Sequence, residues 1–155
     1  MKFSTREDIE APIEAVFDML CDFESFERSA MRRGAEVRRM DDQREPGVGM
    51  KWQTSFDMHG KRRDMEIEMA TFERPTEMVL ESRSVSMNAE VSLELVALSR
   101  SRTRILVALD IKPQNLSARL LVQSFKLAKM SLTKKYKLRV AEYAKSLEER
   151  YERIA

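Results

Sequence analysis

The sequence has few of the residues on which most enzyme chemistry depends. Its 155 residues include one cysteine, Cys21, and one histidine, His59. A lone cysteine cannot close an intramolecular disulfide, so it predicts a reduced thiol in a cytoplasmic protein. The chain has no HExxH, CxxC or GxSxG motif, so neither a zinc site nor a nucleophile paired with histidine is supported. We therefore predict no metal, no cofactor and no catalytic residue.

Long apolar stretches are also absent. No run approaches the roughly 18 apolar residues that a membrane-spanning helix needs. Residues 1–6 lack the apolar core of a secretion signal, which predicts a chain that is not secreted.

The charges of the two signs nearly balance. The sequence has 28 Lys and Arg against 26 Asp and Glu, a net charge of +2, which is too small to indicate a nucleic-acid partner. Basic residues do cluster at several places, with acidic residues between most of the clusters. We interpret this pattern as a solvated surface, and a weak attraction to an anionic membrane or to RNA stays an alternative.

Glycine and proline are scarce, with four of each, and the chain from Asn115 onward contains neither. Residues 115–151 are rich in Leu, Ala, Lys, Arg and Glu, which favour helices. Apolar residues recur there at steps of three and four, which predicts one amphipathic helix about 50 Å long. The stripe consists of Leu121, Phe125, Ala128, Leu132, Tyr136, Val140, Tyr143 and Leu147.

The region before this helix predicts antiparallel strands. Apolar and polar residues alternate over 50–58, and a return strand follows a hairpin turn at His59–Gly60. The clearest turn of the chain runs from Asp41 to Gly47. The return strand covers about 64–71, and further strands are predicted at residues 2–10, from Gly34 onward at a sheet edge, and around 78–85, 91–95 and 105–111.

Helix signals occur at three places. Pro12 suits the first position of a helix after the first strand, Asp22 suits the N-cap of a second short helix, and Asn115 or Ser117 suits the N-cap of the long one. The order of elements predicts an α+β fold in one domain over residues 1–155. In it, a curved antiparallel sheet of about six or seven strands wraps around a long C-terminal helix.

This order of elements resembles the helix-grip fold of the START/Bet v 1-like superfamily, in particular its bacterial polyketide cyclase/dehydrase-like (SRPBCC) group. Each supporting motif is short, and together they extend over essentially the whole chain. They are the strand end Ile9–Pro12, the helix opening Ile13–Phe17 with Asp22 after it, the turn Pro46–Gly49 before Trp52, and the hairpin Arg102–Arg104 before the last strand.

The resemblance implies a deep apolar cavity between the sheet and the C-terminal helix. Members of the superfamily bind or transfer lipids, sterols, quinones, polyketides or hormones, and a minority are aromatases, cyclases or hydrolases, so the fold alone does not choose a function. We predict a non-catalytic carrier of a hydrophobic small molecule with no nucleic-acid partner. Its oligomeric state and a transient contact with a membrane surface are left open.

Two other hypotheses stay open. A cyclase/dehydrase-type enzyme needs a buried acid, and Glu7 and Glu81 are its candidates because each is in phase with apolar neighbours along its strand. An interaction module would instead use the basic clusters to bind a membrane surface, a ribosome or a protein, and its binding would weaken steeply with salt.

The predicted ligand-binding residues are mostly aromatic, aliphatic and methionine side chains. Eleven methionines are present, and methionine suits either an irregular core or an adaptable pocket. Thr54, Ser82 and Ser84 are the predicted hydrogen-bonding points. The full set is Phe17, Phe26, Met50, Trp52, Thr54, Phe56, Met65, Ile67, Met69, Ser82, Leu93, Leu109, Leu121, Phe125 and Leu132.

Overall fold

Across the residues that the computed structural model describes, 1–58 and 60–155, the chain forms seven strands and four helices. The predicted turn at His59–Gly60 includes His59, which lies outside the described residues. In chain order the elements are β1 (Lys2–Ile9), α1 (Ile13–Leu20), α2 (Phe23–Arg32), β2 (Glu36–Arg39), β3 (Lys51–Met58), β4 (Lys61–Glu73), β5 (Glu77–Arg83), β6 (Met87–Ser99), β7 (Arg102–Pro113), α3 (Leu116–Leu127) and α4 (Lys129–Ile154).

The strands form one antiparallel sheet in the order β1-β7-β6-β5-β4-β3-β2. Strands β2 to β7 each pair with their neighbours along the chain, and β1 closes the row by pairing with β7. The strand predicted from Gly34 onward is β2, and it lies at the sheet edge as expected. The predicted α+β architecture, a curved antiparallel sheet with C-terminal helical packing, is confirmed.

One face of the sheet, called here the concave face, packs against the helices. Met50, directly before β3, and Trp52 and Thr54 on β3 alternate inward and are buried, so the predicted phase of this strand is confirmed. On β5 the inward residues include Met78 and Ser82. Since side chains alternate between faces along a strand, Glu81 projects from the opposite, convex face. Glu81, one of the two candidate buried acids, therefore does not face the helices.

The predicted single C-terminal helix is two helices in the structure. Ala128 separates α3 from α4, with φ −106° and ψ 17°, and its amide donates to the carbonyl of Phe125 at 3.0 Å, three residues back. The helices pack against different strands, because α3 contacts β7 whereas α4 lies along β1. No glycine or proline marks the break, so packing rather than helix propensity places it.

Two of the predicted caps are confirmed. The Asp22 carboxylate accepts from the Ser25 amide at 3.4 Å, and the Asn115 side chain accepts from the Ala118 amide at 2.8 Å. Such bonds satisfy amides that have no partner within the first helical turn. Pro12 was predicted as the first residue of α1. It is the N-cap instead, and the helix begins one residue later, at Ile13.

The tightest packing lies at one end of the concave face, where α1 and the C-terminal half of α4 meet the sheet. The fully buried side chains there come from β1, α1, α4 and the sheet, and they form one apolar cluster. Arg74, in the turn after β4, also fastens α1, because its guanidinium pairs with Asp18 and lies 5.0 Å from the Phe17 ring. This end is a structural core, and the site described below lies beside it on the concave face.

The turn between β2 and β3 is held by the Asp41 carboxylate. It accepts from Arg39 Nε at 2.5 Å and Nη2 at 2.8 Å, and from the amides of Gln43 and Lys51 at 3.0 and 2.8 Å. The bond from Arg39 is the main reason why the pKa of Asp41 lies well below its usual range. Asp41 therefore stabilises the fold most when it is charged.

We expect Asp41→Asn to lower the free energy of unfolding at pH 7 by about 1 to 2 kcal/mol. Because the folded-state pKa is depressed, this contribution is complete above the unfolded value of about 3.9 and is lost as the pH falls toward the folded value. Urea denaturation at pH 7 and pH 3 measures the effect, and the difference between the variant and the parent should shrink at pH 3. The exposed neighbour Asp42 supplies the control Asp42→Asn, and an equal difference at both pH values would contradict the assignment.

Candidate functional site

A row of five side chains crosses the middle of the concave face. The strand register places Trp52 opposite Ile67, Ile67 opposite Ser82, Ser82 opposite Ala89, and Ala89 opposite Ile111, on strands β3 to β7. The two central members are small and the outer members are large. The row is therefore apolar except for one hydroxyl, that of Ser82.

The Ser82 hydroxyl is the unusual polar group of this face. Ser82 is 8% exposed, and its buried Oγ has no hydrogen-bond partner among residues 1–58 and 60–155. A buried hydroxyl without a partner costs about 1 to 3 kcal/mol, so native structures nearly always satisfy it. Thr54 was also predicted as a hydrogen-bonding point, and its hydroxyl donates to the carbonyl of Met65 at 3.2 Å. The two hydroxyls therefore differ in their hydrogen bonding: Thr54 is bound to the backbone, whereas Ser82 Oγ has no partner among the described residues.

The side chains around this row are only partly buried. Phe56, Met65, Leu93 and Leu109 all lie on the concave face, in phase with the buried residues of their strands, yet each keeps some exposure to solvent. Partial exposure of an apolar wall is typical of a surface that a further apolar group can cover.

The two C-terminal helices lie over this wall. On α3, Ala118 and Val122 are buried, while Leu121 and Phe125 are partly buried. On α4, the Tyr136 hydroxyl donates to the carbonyl of Val107 at 2.7 Å. Burial raises the pKa of Tyr136, so its phenol stays protonated and keeps this donor over the physiological range. The first turns of α4 are thereby fastened to β7.

Trp52, the only tryptophan, lies at the β3 end of the row. Its indole Nε1 donates to Glu27 Oε1 at 3.0 Å, the Phe23 ring lies 5.5 Å away and the Arg39 guanidinium 5.4 Å from its ring centre. Ser82 is two strands away, about 10 Å at ordinary strand spacing. Trp52 is therefore close enough to respond to a molecule bound over the row without being its main contact.

The predicted ligand-binding residues occupy three kinds of position. One group is buried, a second lines the partly exposed wall and the helices over it, and Phe26 stands apart. Phe26 is 41% exposed and packs on Tyr143 with ring centres 5.5 Å apart, in a cleft of about 180 Å³ between α2 and α4. The buried group is Phe17, Met50, Trp52, Thr54, Met69 and Ser82, and the partly buried group is Phe56, Met65, Ile67, Leu93, Leu109, Leu121, Phe125 and Leu132.

Ala89 and Ile111 belong to the same row and were not among the predicted residues. Their own strand patterns give no reason to select them, since Ala89 is small and Ile111 is one of several apolar residues of β7. What places them beside Ser82 is the register between β5, β6 and β7. Aligning β5, β6 and β7 as consecutive hairpins in the sequence would have identified both residues as neighbours of Ser82.

The ionisable candidates are scattered. Glu7 lies on the concave face in phase with buried Phe3 and Ile9 and opposite Ile105 on β7. Cys21 is partly buried at the end of α1, with its sulfur 3.7 Å from Arg74 Nη2, and burial raises the pKa of its thiol. Among the described residues, no group of three or more His, Cys, Asp and Glu side chains is placed to hold a metal ion.

A second cleft, of about 300 Å³, lies on the convex face. It runs over β7 between β1 and β6, with Arg6, Glu94 and Ala108 among its lining residues. It is shallow and open, and the sheet separates it from the row around Ser82.

Comparison of the structure with solved ones identifies the fold. A protein from Thermus thermophilus superposes with a TM-score of 0.67 at 16% identity, over 100% of this chain and 99% of that one. A START superfamily protein from Mycobacterium smegmatis gives 0.60 at 18% identity, over 99% of both chains. The Zhui aromatase/cyclase from Streptomyces sp. R1128 gives 0.61 at 10% identity, over 86% and 88%.

The fold is that of the START/Bet v 1-like superfamily. This confirms the resemblance seen in the sequence, and the helix-grip arrangement accounts for the concave wall under the C-terminal helices. No protein-family model and no curated protein matches the sequence itself. None of the helices within residues 1–58 and 60–155 is both long and apolar enough to cross a bilayer.

Proposed function

We propose that the protein binds a hydrophobic small molecule between the concave face of the sheet and the helices α3 and α4. The observation that carries this proposal is the buried Ser82 hydroxyl without a partner, at the centre of an apolar row. A ligand that is mostly apolar and has one carbonyl or hydroxyl group matches such a wall, because it covers the apolar side chains and gives Ser82 a partner. Lipids, quinones and polyketides all contain such groups.

The partly exposed side chains supply the driving force. Covering about 300 Å² of apolar surface at about 25 cal/mol per Å² yields roughly 7 to 8 kcal/mol before ordering costs. Because ordering costs reduce this free energy, about 1 μM is the tightest dissociation constant that it allows, and binding in the micromolar range or weaker is expected. The protein is thus a binding or carrier protein in this proposal, and no step of bond making is assigned to it.

The experiment is a titration with three probes: oleic acid, decylubiquinone and emodin. Trp52 fluorescence and equilibrium dialysis report binding. We expect saturable binding of at least one probe at one site per chain, with a dissociation constant of about 1 μM or weaker. Native mass spectrometry of gently purified protein tests for a bound natural ligand. If no probe saturates and no extractable mass accompanies the protein, the proposal fails.

Ser82→Ala separates the hydroxyl from the rest of the wall. Since its Oγ has no partner, its removal should raise the free energy of unfolding of the empty protein by about 1 kcal/mol. The same change should weaken binding of the quinone probes by about 3- to 10-fold, while the hydrocarbon anthracene, which has no polar group, should bind as before. Ser92→Ala on the convex face is the matched control. If quinone and hydrocarbon lose affinity equally, the Ser82 hydroxyl does not contact the ligand and this assignment is wrong.

A further inference from the structure

The region that includes α3 and the first half of α4 has an unusual charge pattern. Residues 111–141 contain eight Lys and Arg and no Asp or Glu, whereas residues 142–153 contain three basic and four acidic residues. All eight basic side chains are exposed. Lys112 pairs with Asp110 at 3.8 Å; for the other seven, no carboxylate of the described residues forms an ion pair. The positive charge of this region is thus almost uncompensated.

The outer face of α3 is apolar. Leu116, Leu120 and Leu127 are 72%, 63% and 91% exposed, and at 100° per residue they fall within about 40° of one another. They lie on the side of the helix opposite buried Ala118 and Val122. We call Leu116, Leu120 and Leu127, together with Met130 in the first turn of α4, which is 80% exposed, the leucine stripe. A solvent-facing helix surface is normally polar. This apolar stripe is exposed, and none of the described residues covers it.

Basic side chains lie along one side of the leucine stripe. Arg119 and Lys126 lie on α3 about 80° to 100° from the centre of the stripe, and Lys129 precedes Met130. Apolar residues with basic residues beside them are the composition of a helix that lies in the interface of an anionic bilayer, where leucines enter the acyl boundary and cations meet the headgroups.

Charge is also segregated across the molecule. On the convex face, the register aligns Glu68, Glu81, Glu90 and Asp110 on four successive strands, β4 to β7. These carboxylates lie on the face of the sheet turned away from the helices. Lys2, Lys51 and Arg83 lie beside these carboxylates. An anionic surface would therefore attract the helical side more strongly than the convex side, which defines one docking orientation.

We infer that the leucine stripe and the basic residues beside it dock the protein on an anionic lipid bilayer. A second copy of the chain fits the stripe poorly, because it would bring two uncompensated basic regions together. A nucleic acid would leave the four apolar side chains without a partner. An anionic bilayer satisfies both features, with α3 lying parallel to the membrane plane.

The test is co-sedimentation of the purified full chain with vesicles. The vesicles contain phosphatidylcholine alone or with 30% phosphatidylglycerol, at 0.1 M and 0.5 M NaCl. We expect binding to the anionic vesicles at 0.1 M NaCl, at least 10-fold weaker binding to the neutral ones, and a several-fold loss at 0.5 M NaCl. Absence of binding to anionic vesicles, or equal binding to both kinds, would overturn the inference.

Two variants test the two parts of the surface. Replacing Leu116, Leu120 and Leu127 by serine should reduce binding at least 10-fold without loss of folding, since all three are exposed. The double reversal Lys126→Glu with Lys129→Glu should also reduce it at least 10-fold. Lys145→Glu with Arg153→Glu makes the same charge change on the mixed half of α4 and serves as control. Equal loss in the control would show that only net charge matters, which contradicts a localised docking surface.

Depth of insertion is measured with a fluorophore. Leu127→Cys in a Cys21→Ala chain, labelled with an environment-sensitive NBD group, should shift its emission to the blue on anionic vesicles, whereas a label at Lys145→Cys should not. Ser82→Ala should bind vesicles like the parent, which separates docking from ligand binding. If the triple serine variant instead dissociates an oligomer in gel filtration and vesicle binding is unchanged, the stripe joins copies of the chain and the inference is wrong.

Discussion

Phe17→Ala is expected to lower the free energy of unfolding by about 3 to 5 kcal/mol. Phe17 is 1% exposed in the core of α1, and its ring contacts Phe72 edge-on with centres 5.3 Å apart. The Arg74 guanidinium lies over the same ring. Truncation removes the apolar area, leaves a cavity that a sheet and a helix cannot close, and takes away the support of Arg74. Urea denaturation followed by circular dichroism measures the loss.

Phe26→Ala is the matched control from the same set of predicted residues. Phe26 is largely exposed and has one ring contact, with Tyr143, so its truncation should cost no more than about 1 kcal/mol. If both variants lose similar stability, Phe17 is not the central core residue that its burial indicates. The comparison also tests whether Phe26 belongs to the cleft between α2 and α4 rather than to the structural core.

Thr103→Val is expected to cost about 1 to 3 kcal/mol, although valine has nearly the same shape. Thr103 is fully buried near the start of β7, and its hydroxyl donates to the carbonyl of Ala11 at 2.8 Å. This bond joins the last hairpin to the corner between β1 and α1. Valine leaves the buried carbonyl without its donor, and the cost is the desolvation of that group.

Thr76→Val supplies the comparison for Thr103. The exposed Thr76 hydroxyl also donates to a backbone carbonyl, that of Glu73, at 3.4 Å, but water replaces a donor that is lost at the surface. We expect a change below about 0.5 kcal/mol. Thermal and urea denaturation of both variants measures the difference, and a loss at position 103 no larger than at position 76 would show that the buried carbonyl finds another donor.

Local patterns were sufficient wherever one strand or one helix turn decides the outcome. The alternation on β3 predicted that Met50, Trp52 and Thr54 face inward, and the structure buries all three. Asp22 and Asn115 were predicted as caps because a cap depends only on the next three residues. The helix-grip order of elements followed from these local signals, since each of them is short-ranged.

The phase of β5 shows where local pattern is insufficient. Val79 and Val85 share one face of the strand, and Met78 and Leu80 share the other. Because both faces carry apolar residues, the sequence of the strand alone does not decide which of them faces the helices. The pairing of Met78 with Leu93 and of Leu80 with Val91 decides it, and with it the convex position of Glu81. A bulge between Met69 and Thr71 likewise turns the end of β4, so that Phe72 packs against the core.

By itself, the sequence determined the fold class, the inward residues of β3, the helix caps and the absence of paired catalytic or metal-binding motifs. The tertiary structure alone decided which hydroxyl of the concave face lacks a partner, because Thr54 and Ser82 differ only in what their neighbours offer. It also decided that the C-terminal helix breaks at Ala128 and that Leu116, Leu120 and Leu127 face solvent. These outcomes depend on contacts between residues far apart in the chain, for which no local period carries a signal.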